Sequence, residues 1–388
     1  MSPQPRNGAP ENWDLSASML PFEHASTLPA ASYTSPAFFE REVETIFRKE
    51  WLCVGRIDQV EAPGDYFCVD MVGEPLVVLR DAEGVLRVLS RVCRHRSMTV
   101  VEGEGNAKSF ICPYHNWTYG LDGRLVGAPE MGLTPDFDVP GTCLPTIRHE
   151  VWEGFIMVNF DDAAEPFGPR VEGLSTLIAN WHMSEMRSIA AFEFDYPWNW
   201  KVMIDNYIEC YHHPTVHGES LEPGMPGRNT YFEPDEGPYS VMQMPYRKGH
   251  GPAVPGRPTD GPRLPILEGL TEDERGRGAI LQVFPTLLFA IYPDHTDYYR
   301  VFPEGPARVR LTKTFCATAE QMEAPGAEAA MKQITDYYHY YAPEDLEVCR
   351  GLQRGMTSRL AAPGRYSHME EGGWKFSKYV AERVTGAA

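Results

Sequence analysis

The sequence predicts an α+β protein in two parts, a small all-β domain followed by a larger one with a curved antiparallel sheet and a long C-terminal helix. Three observations carry this. Up to about residue 160, short β-rich runs are separated by turn residues. Beyond about residue 161 the strand-like runs lengthen and helical patterns join them. Near the end of the chain, Ala327 to Met356 keeps helical spacing.

The elements follow in order. Residues 1–35 read as an extended arm rich in Pro, Ala and Ser. A helix then starts sharply, with Ser35 as N-cap and Pro36 at the first helical position, where its missing N–H costs nothing. Phe38, Phe39, Val43, Ile46, Phe47 and Trp51 keep its apolar spacing. Strands are expected at Tyr66–Val69, Pro75–Arg80 and, beyond a Glu83-Gly84 turn, Val85–Val92, with Phe155–Phe160 closing the first domain at residues 36–160. The second domain takes residues 161–388. In it Ala190–Tyr196, Ile280–Phe284, Leu287–Tyr292, Tyr298–Phe302 and Val309–Ala317 read as one curved antiparallel sheet. Pro and Gly crowd residues 222–278, which reads as a long irregular segment of the kind that forms a functional lid or a disordered loop. Pro343 is expected to interrupt the last helix.

Composition narrows the function classes. A chain of 388 residues can hold two domains with cores of their own. No apolar run is long enough to span a membrane, and the polar, Pro-rich N-terminus lacks a signal-peptide layout, so a cytoplasmic enzyme is expected. A net charge of −19 disfavours nucleic acid and anionic membrane as partners. Of the eight cysteines, Cys53, Cys68, Cys143, Cys210, Cys316 and Cys349 are expected to be reduced, mainly buried thiols.

The other two cysteines belong to a motif. Cys93-Arg94-His95-Arg96 and Cys112-Pro113-Tyr114-His115 spell Cys-x-His, sixteen residues, then Cys-x-x-His. Two such loops facing each other can hold two irons, both cysteines on one and both histidines on the other, the ligand set of a Rieske [2Fe–2S] cluster. A zinc site takes the same ligand types, but zinc fingers group a Cys pair and then a His pair. Here each loop mixes the two, and Pro113, Trp117, Tyr119 and Gly120 lead into a strand rather than a finger helix. Arg91, Arg94, Arg96, Lys108 and Arg124 surround these loops in sequence and form a candidate basic rim for an acidic electron donor.

A second constellation lies in Asn199-Trp200-Lys201…Asp205-Asn206-Tyr207-Ile208-Glu209-Cys210-Tyr211-His212…His217. Pro214 forbids a regular helix from His212 to His217, so a bend must bring the second imidazole round. Two histidines and a distant carboxylate would form a facial triad for non-haem Fe(II), although zinc also uses such pairs.

Together the strings CRHRSMTV…FICPYHNWTYGLDG and the Glu209–His217 run resemble the large subunit of Rieske non-haem iron oxygenases over about residues 36–380. Ser97 and Asn116 stand where that family has glycines. The resemblance implies a helix-grip catalytic domain and two cofactors, a [2Fe–2S] cluster on Cys93, His95, Cys112 and His115 and a mononuclear Fe(II). His212 and His217 would be iron ligands and Glu209 a bridging carboxylate, with Asn206 a further catalytic residue. His213 falls outside the matching spacing and takes no ligand role. Asp345 supplies the third ligand, with Glu344 and Glu347 as competitors that could merely favour the helix dipole. The implied activity is hydroxylation or oxidative demethylation of a small organic molecule with O2, fed by an NAD(P)H-dependent reductase or ferredoxin, in a homotrimer. The alternative is cis-dihydroxylation of an aromatic ring in an apolar pocket. The run looks closest to members acting on quaternary amines, for which Tyr196, Trp198, Tyr207, Tyr211, Tyr298 and Tyr299 could supply an aromatic box, although for most of them individually ordinary core and sheet packing is the expected role.

Overall fold

The structure, a computed structural model, describes residues 13–251 and 261–387. The first twelve residues of the expected arm and residues 252–260 of the expected lid lie outside the described residues. The rest of the arm is not a free extension. It packs against the C-terminal end of the chain, with Phe22 on Trp374 at 5.5 Å between ring centroids and Arg365 donating to the Ala25 carbonyl at 2.9 Å. Ser35 caps helix α1 (Pro36–Glu42) as expected, accepting from the Phe38 N–H at 3.3 Å.

Three small antiparallel sheets make the first half. Strands β1 (Leu52–Arg56), β2 (Asp65–Met71), β3 (Glu74–Arg80), β4 (Leu86–Ser90) and β5 (Glu104–Asn106) come first. They are followed by β6 (Ser109–Ile111), β7 (Thr118–Gly120), β8 (Leu125–Gly127), β9 (Arg148–Trp152) and β10 (Phe155–Asn159). The order β4-β3-β2-β5 forms one sheet, β6-β7-β8 a second, and β1-β10-β9 a third. The two Cys/His loops join β4 to β5 and β6 to β7. Strand β10 pairs with β1 and β9, and its Phe155 packs on Phe289 and Tyr298 of the second half, so this sheet shares a core with the catalytic half.

The second half is one seven-stranded antiparallel sheet, ordered β11-β17-β16-β15-β14-β13-β12. Its strands are β11 (Arg187–Tyr196), β12 (Tyr231–Phe232), β13 (Tyr239–Pro245), β14 (Arg277–Val283), β15 (Leu287–Ile291), β16 (Thr296–Gly305) and β17 (Arg308–Ala317). The expected irregular stretch 222–278 therefore contains two strands, one of which pairs along its whole length with β14. Its Pro and Gly residues stay out of the interior of β13, whose last residue is Pro245. Alternation assigns the two faces. Leu281, Phe289, Tyr298 and Cys316 pack with Trp152, Phe155 and Phe167 on one side. Ile280, Ala290, Asp297, Tyr299, Lys313 and Phe315 line a cavity on the other.

Helices close that cavity: α2 (Trp200–Tyr207), the single turn α3 (His213–Val216) and the 30-residue α4 (Ala327–Met356), with α5 (Glu371–Thr385) against α2. Helix α4 runs unbroken through Pro343, contrary to expectation. Its buried Tyr337 and Tyr338 before the proline, and Cys349 and Gln353 after it, hold both halves in place against the about 3 kcal/mol that an interior proline costs. No helix among the described residues is long and apolar enough to cross a membrane.

A fully buried ion pair fastens α1 to α2. Lys201 Nζ lies 2.6 Å from Glu42 Oε1, and Trp200 Nε1 donates to the other oxygen at 3.2 Å. Burial pushes the Glu42 carboxyl up and the Lys201 amine down, and each partner's charge opposes that shift. Lys201→Met strands the carboxylate and should destabilise the fold by about 3–5 kcal/mol, read from the denaturant midpoint, whereas Lys201→Met with Glu42→Gln should recover most of the loss.

Candidate metal centres

The two Cys/His loops are built alike. Cys93 N–H donates to Met98 O at 2.8 Å and Cys112 N–H to Trp117 O at 2.8 Å. Each loop then turns through a left-handed residue, Ser97 at φ 59° and Asn116 at φ 56°. These are the two positions where glycine is expected, so the turns demand a conformation that asparagine tolerates better than serine. Both cysteines are buried and both histidines exposed, with the His95 and His115 ring centroids 4.6 Å apart and His95 stacked on Trp117 at 4.8 Å. Tyr119 Oη accepts from Arg94 N–H at 3.0 Å and lies 3.3 Å from Cys93 Sγ, within reach to donate to that sulfur once it is a thiolate. Such a bond is one of the levers on an iron–sulfur potential. Two buried thiols and two adjacent solvent-facing imidazoles fit a Rieske cluster. The basic rim is smaller than the sequence suggested, because Arg91 is buried and paired with Asp70 and Glu102, leaving Arg94, Arg96, Lys108 and Arg124 exposed, the last beside Asp122 at 3.6 Å.

The second centre forms where α2 ends. Asn199 caps that helix, accepting from Lys201 N–H at 3.0 Å. The chain breaks at Ile208–Tyr211 and restarts as α3, with Pro214 in its first turn, where a proline is harmless. His212 and His217 are the residues at either end of that turn. Their rings converge at 5.1 Å, and α4 brings Asp345 between them. Asp345 Oδ1 is 3.0 Å from His217 Nε2 and 3.5 Å from His212 Nε2. On the far side of each ring a glutamate takes the other nitrogen: Glu209 Oε1 at 2.5 Å from His212 Nδ1 and Glu344 Oε2 at 2.7 Å from His217 Nδ1. Asn206 Nδ2 donates to Asp345 at 3.3 Å.

Every residue expected at this centre is thus brought together, and Glu344, a competitor for the carboxylate ligand, holds a different position behind His217. His213 also comes close, with one ligand atom each of His212, His213 and His217 within 4.8 Å. Its Nδ1 is directed at the Met225 carbonyl, 3.4 Å away, and Asp345 is the group that reaches both other Nε2 atoms. Anchoring Nδ1–H on a carboxylate leaves Nε2 as the coordinating atom, the usual outer arrangement of a ligating histidine. Two such nitrogens and one carboxylate fit a mononuclear Fe(II) with open positions.

The cavity beside this centre is largely aromatic and apolar but carries a buried charge pair. Tyr207, Tyr292, Tyr299, Tyr337, Tyr338 and Tyr341 line it, together with the His295 ring and the Asp297–Lys313 pair. Of the expected aromatic box only Tyr207 and Tyr299 face it. Tyr298 points to the opposite side of the sheet, Tyr211 is 57% exposed, and Tyr196 and Trp198 stack on each other at 4.3 Å outside it. Three of the missed tyrosines, Tyr337, Tyr338 and Tyr341, sit on α4, in a Tyr337-Tyr338-His339-Tyr340-Tyr341 run legible in the sequence as an aromatic helix face, and the fourth, Tyr292, follows β15.

The charges here set a pH dependence. Burial pulls the His212 imidazole down, but the hydrogen bonds and charge of Asp345 and Glu209 outweigh it, pushing its pKa from 6.5 up to about 9. Burial would raise the Asp345 carboxyl, yet His212 and His217 hold it well below the usual carboxylate range. In protein stripped of metal, His212 therefore contributes stability fully below pH 6.5, lost as pH climbs through about 9. Asp345 contributes above pH 3.8, lost as pH falls below it. Because a ligating nitrogen must shed its proton, anaerobic titration should show Fe(II) affinity rising about tenfold per pH unit over this upper window. A flat profile there would remove His212 from the ligand set.

Comparison with known proteins agrees with this geometry. Residues 50–138 match the Rieske [2Fe-2S] domain and residues 183–386 the ring hydroxylating alpha subunit (catalytic domain). The chain is 36% identical over 347 residues to the carnitine monooxygenase oxygenase subunit of Escherichia coli (strain K12), covering 87% of this chain and 86% of that one. It is 34% identical over 360 residues to the chloroplastic choline monooxygenase of Spinacia oleracea, covering 89% and 75%. A quaternary ammonium Rieske monooxygenase described in terms of carnitine oxidation and inter-subunit electron transfer superposes with a TM-score of 0.80 at 26% identity, covering 97% and 100% of the two chains. The protein belongs to the Rieske non-haem iron oxygenases, as an oxygenase (alpha) subunit with a [2Fe–2S] domain ahead of its mononuclear-iron catalytic domain.

Proposed function

We propose that this chain oxidises a small quaternary amine by hydroxylation or oxidative demethylation, with Cys93, His95, Cys112 and His115 holding the cluster and His212, His217 and Asp345 the mononuclear iron. The observation that carries the reading is the paired anchoring of the two imidazoles, each on a glutamate behind and on Asp345 in front. When bound, the cluster supplies electrons singly and the mononuclear iron the place where O2 is used. The protein's own part is orientation and exclusion. Asn206 steadies Asp345, Glu209 and Glu344 fix the tautomers, and the tyrosine-lined wall keeps bulk water from the cavity.

Glu209 has a second role in this reading. It sits beside the exposed Tyr211 at the break between α2 and α3, while the cluster imidazoles of the same chain also face solvent. Both features support electron handover between subunits of a homotrimer, with Glu209 bridging a cluster histidine of one subunit and His212 of the next. An NAD(P)H-dependent reductase or ferredoxin would reduce the cluster, docking near Arg94, Arg96 and Lys108. Ring cis-dihydroxylation is the weaker reading, because the cavity wall, otherwise largely apolar, carries the Asp297–Lys313 ion pair, for which an arene offers no charged or hydrogen-bonding partner.

Product analysis tests the substrate class. Supplied with a reductase and O2, the enzyme should turn over methylated quaternary amines and release formaldehyde or a hydroxylated product, and should leave unsubstituted arenes untouched. Glu209→Gln keeps the shape but removes the charge. Both metals should stay bound and the cluster reducible by dithionite, with turnover falling at least about tenfold to a hundredfold. Near-normal turnover in that variant would exclude Glu209 from the electron route.

A further inference from the structure

Asp297 on β16 and Lys313 on β17 lie on the sheet face that lines the cavity, where Lys313 stands directly across from Tyr299. Their side chains pair, Nζ to Oδ1 at 2.5 Å, and are 3% and 2% exposed. The ammonium also stands 4.1 Å from the Tyr299 ring centroid, 5.2 Å from that of Phe315 and 5.4 Å from that of Tyr338. Among the described residues its hydrogen-bond partner is Asp297, a contact that uses one of its three donors. A buried ion pair of this kind is no more stabilising than a well-packed apolar pair of the same volume, so stability alone does not account for it. The hydroxyl of Tyr207 lines the same cavity, buried and without a hydrogen-bond partner, which marks the wall as built for an occupant.

We propose that the Asp297–Lys313 pair receives the two charged ends of the substrate, so that the site selects a zwitterion, an ammonium and a carboxylate in one molecule, over a simple cation. This deepens the quaternary-amine reading and rests on it. The paired wall is neutral. A lone cation entering it must either face the Lys313 ammonium or draw Asp297 away, leaving that ammonium unpaired among aromatic rings. A zwitterion avoids both outcomes. Its carboxylate takes the remaining donors of Lys313 as a charge-assisted contact in a low-dielectric site. Its ammonium takes Asp297 and the ring faces of nearby tyrosines, which attract a cation without needing an N–H. Each buried charge then keeps a partner, and specificity comes from the charge that a wrong substrate would strand.

Two probes that differ only in the carboxylate test this: 4-(trimethylammonio)butyrate and its methyl ester. Calorimetric titration of the iron-loaded protein with its cluster oxidised reads binding without turnover. Wild type should bind the acid at least about tenfold tighter than the ester. Lys313→Met should erase that preference, and so should the double variant Lys313→Met, Asp297→Asn, which removes both charges and leaves none stranded. Iron content and the visible cluster spectrum report that each variant is folded. Equal affinity of wild type for acid and ester overturns the inference while leaving the quaternary-amine reading in place. Preference for the acid surviving in either folded variant overturns it as well. Binding of neither probe by wild type overturns both readings together.

Discussion

One oxygen atom, Oδ1 of Asp345, is the point on which the catalytic half converges. It meets an imidazole nitrogen from each end of α3 and the amide of Asn206 on α2, although Asp345 itself sits on a helix more than a hundred residues further along the chain. The fold solves a positioning problem. A single helical turn presents His212 and His217 on one side, and the long helix α4 must be held against it to within a few tenths of an ångström. The seven-stranded sheet holds α4 at Tyr338, whose ring packs near Phe192, Phe194, Tyr299 and Phe315, while Tyr337 donates to the Ser220 carbonyl and Gln353, beyond Pro343, bonds Asn199 and Tyr33. Because Gln353 accepts from the N–H of Asn199, the cap of α2, the helix that carries Asn206 is tied directly to the helix that carries Asp345.

Polar groups in this region are buried at a cost that has to be offset locally. Six tyrosines surround the cavity, and burial pushes the phenols of Tyr207, Tyr292, Tyr299, Tyr338 and Tyr341 upward, keeping them neutral donors. Two buried ion pairs flank the centre: Glu42–Lys201 on the outer side of α2, and Asp297–Lys313 in the cavity wall. They have the same chemistry but different surroundings. The first is enclosed by aromatic rings, with Trp200 satisfying its remaining oxygen, and serves to join helices. The second opens on the substrate space, which is why it can serve recognition.

The chemistry was legible in the sequence wherever a ligand's position is set by local spacing. Both Cys/His loops, the cap at Ser35 and the Glu209–His217 run are fixed by residues close to one another in the chain, and the structure forms them as local turns. What escaped depends on packing between distant segments. Pro343 argues for a break by local rules, but tertiary contacts on both sides carry the helix through it. The strand Tyr239–Pro245 was hidden by its Pro- and Gly-rich flanks and owes its existence to pairing with β14. Of the six residues of the candidate aromatic box, two line the cavity and the other four lie outside it, partly by a local rule and partly by distant packing. Adjacent residues on a strand face opposite ways, so Tyr298 and Tyr299 could not both line the cavity, and the tyrosines that do come largely from α4. His213 and Glu344 show the remaining limit: sequence places them beside the proposed ligands, and the folded geometry gives each a partner of its own, the Met225 carbonyl for His213 and His217 Nδ1 for Glu344.

The account stands or falls on Asp345 as the shared partner of His212 and His217, in a site independent of the cluster. Iron and acid-labile sulfide analysis of Asp345→Asn, which keeps the side chain's shape, tests this most directly. The account predicts loss of about one third of the iron, with all the sulfide and the visible cluster spectrum retained. Full retention of iron, or bleaching of the cluster in this variant, would contradict it.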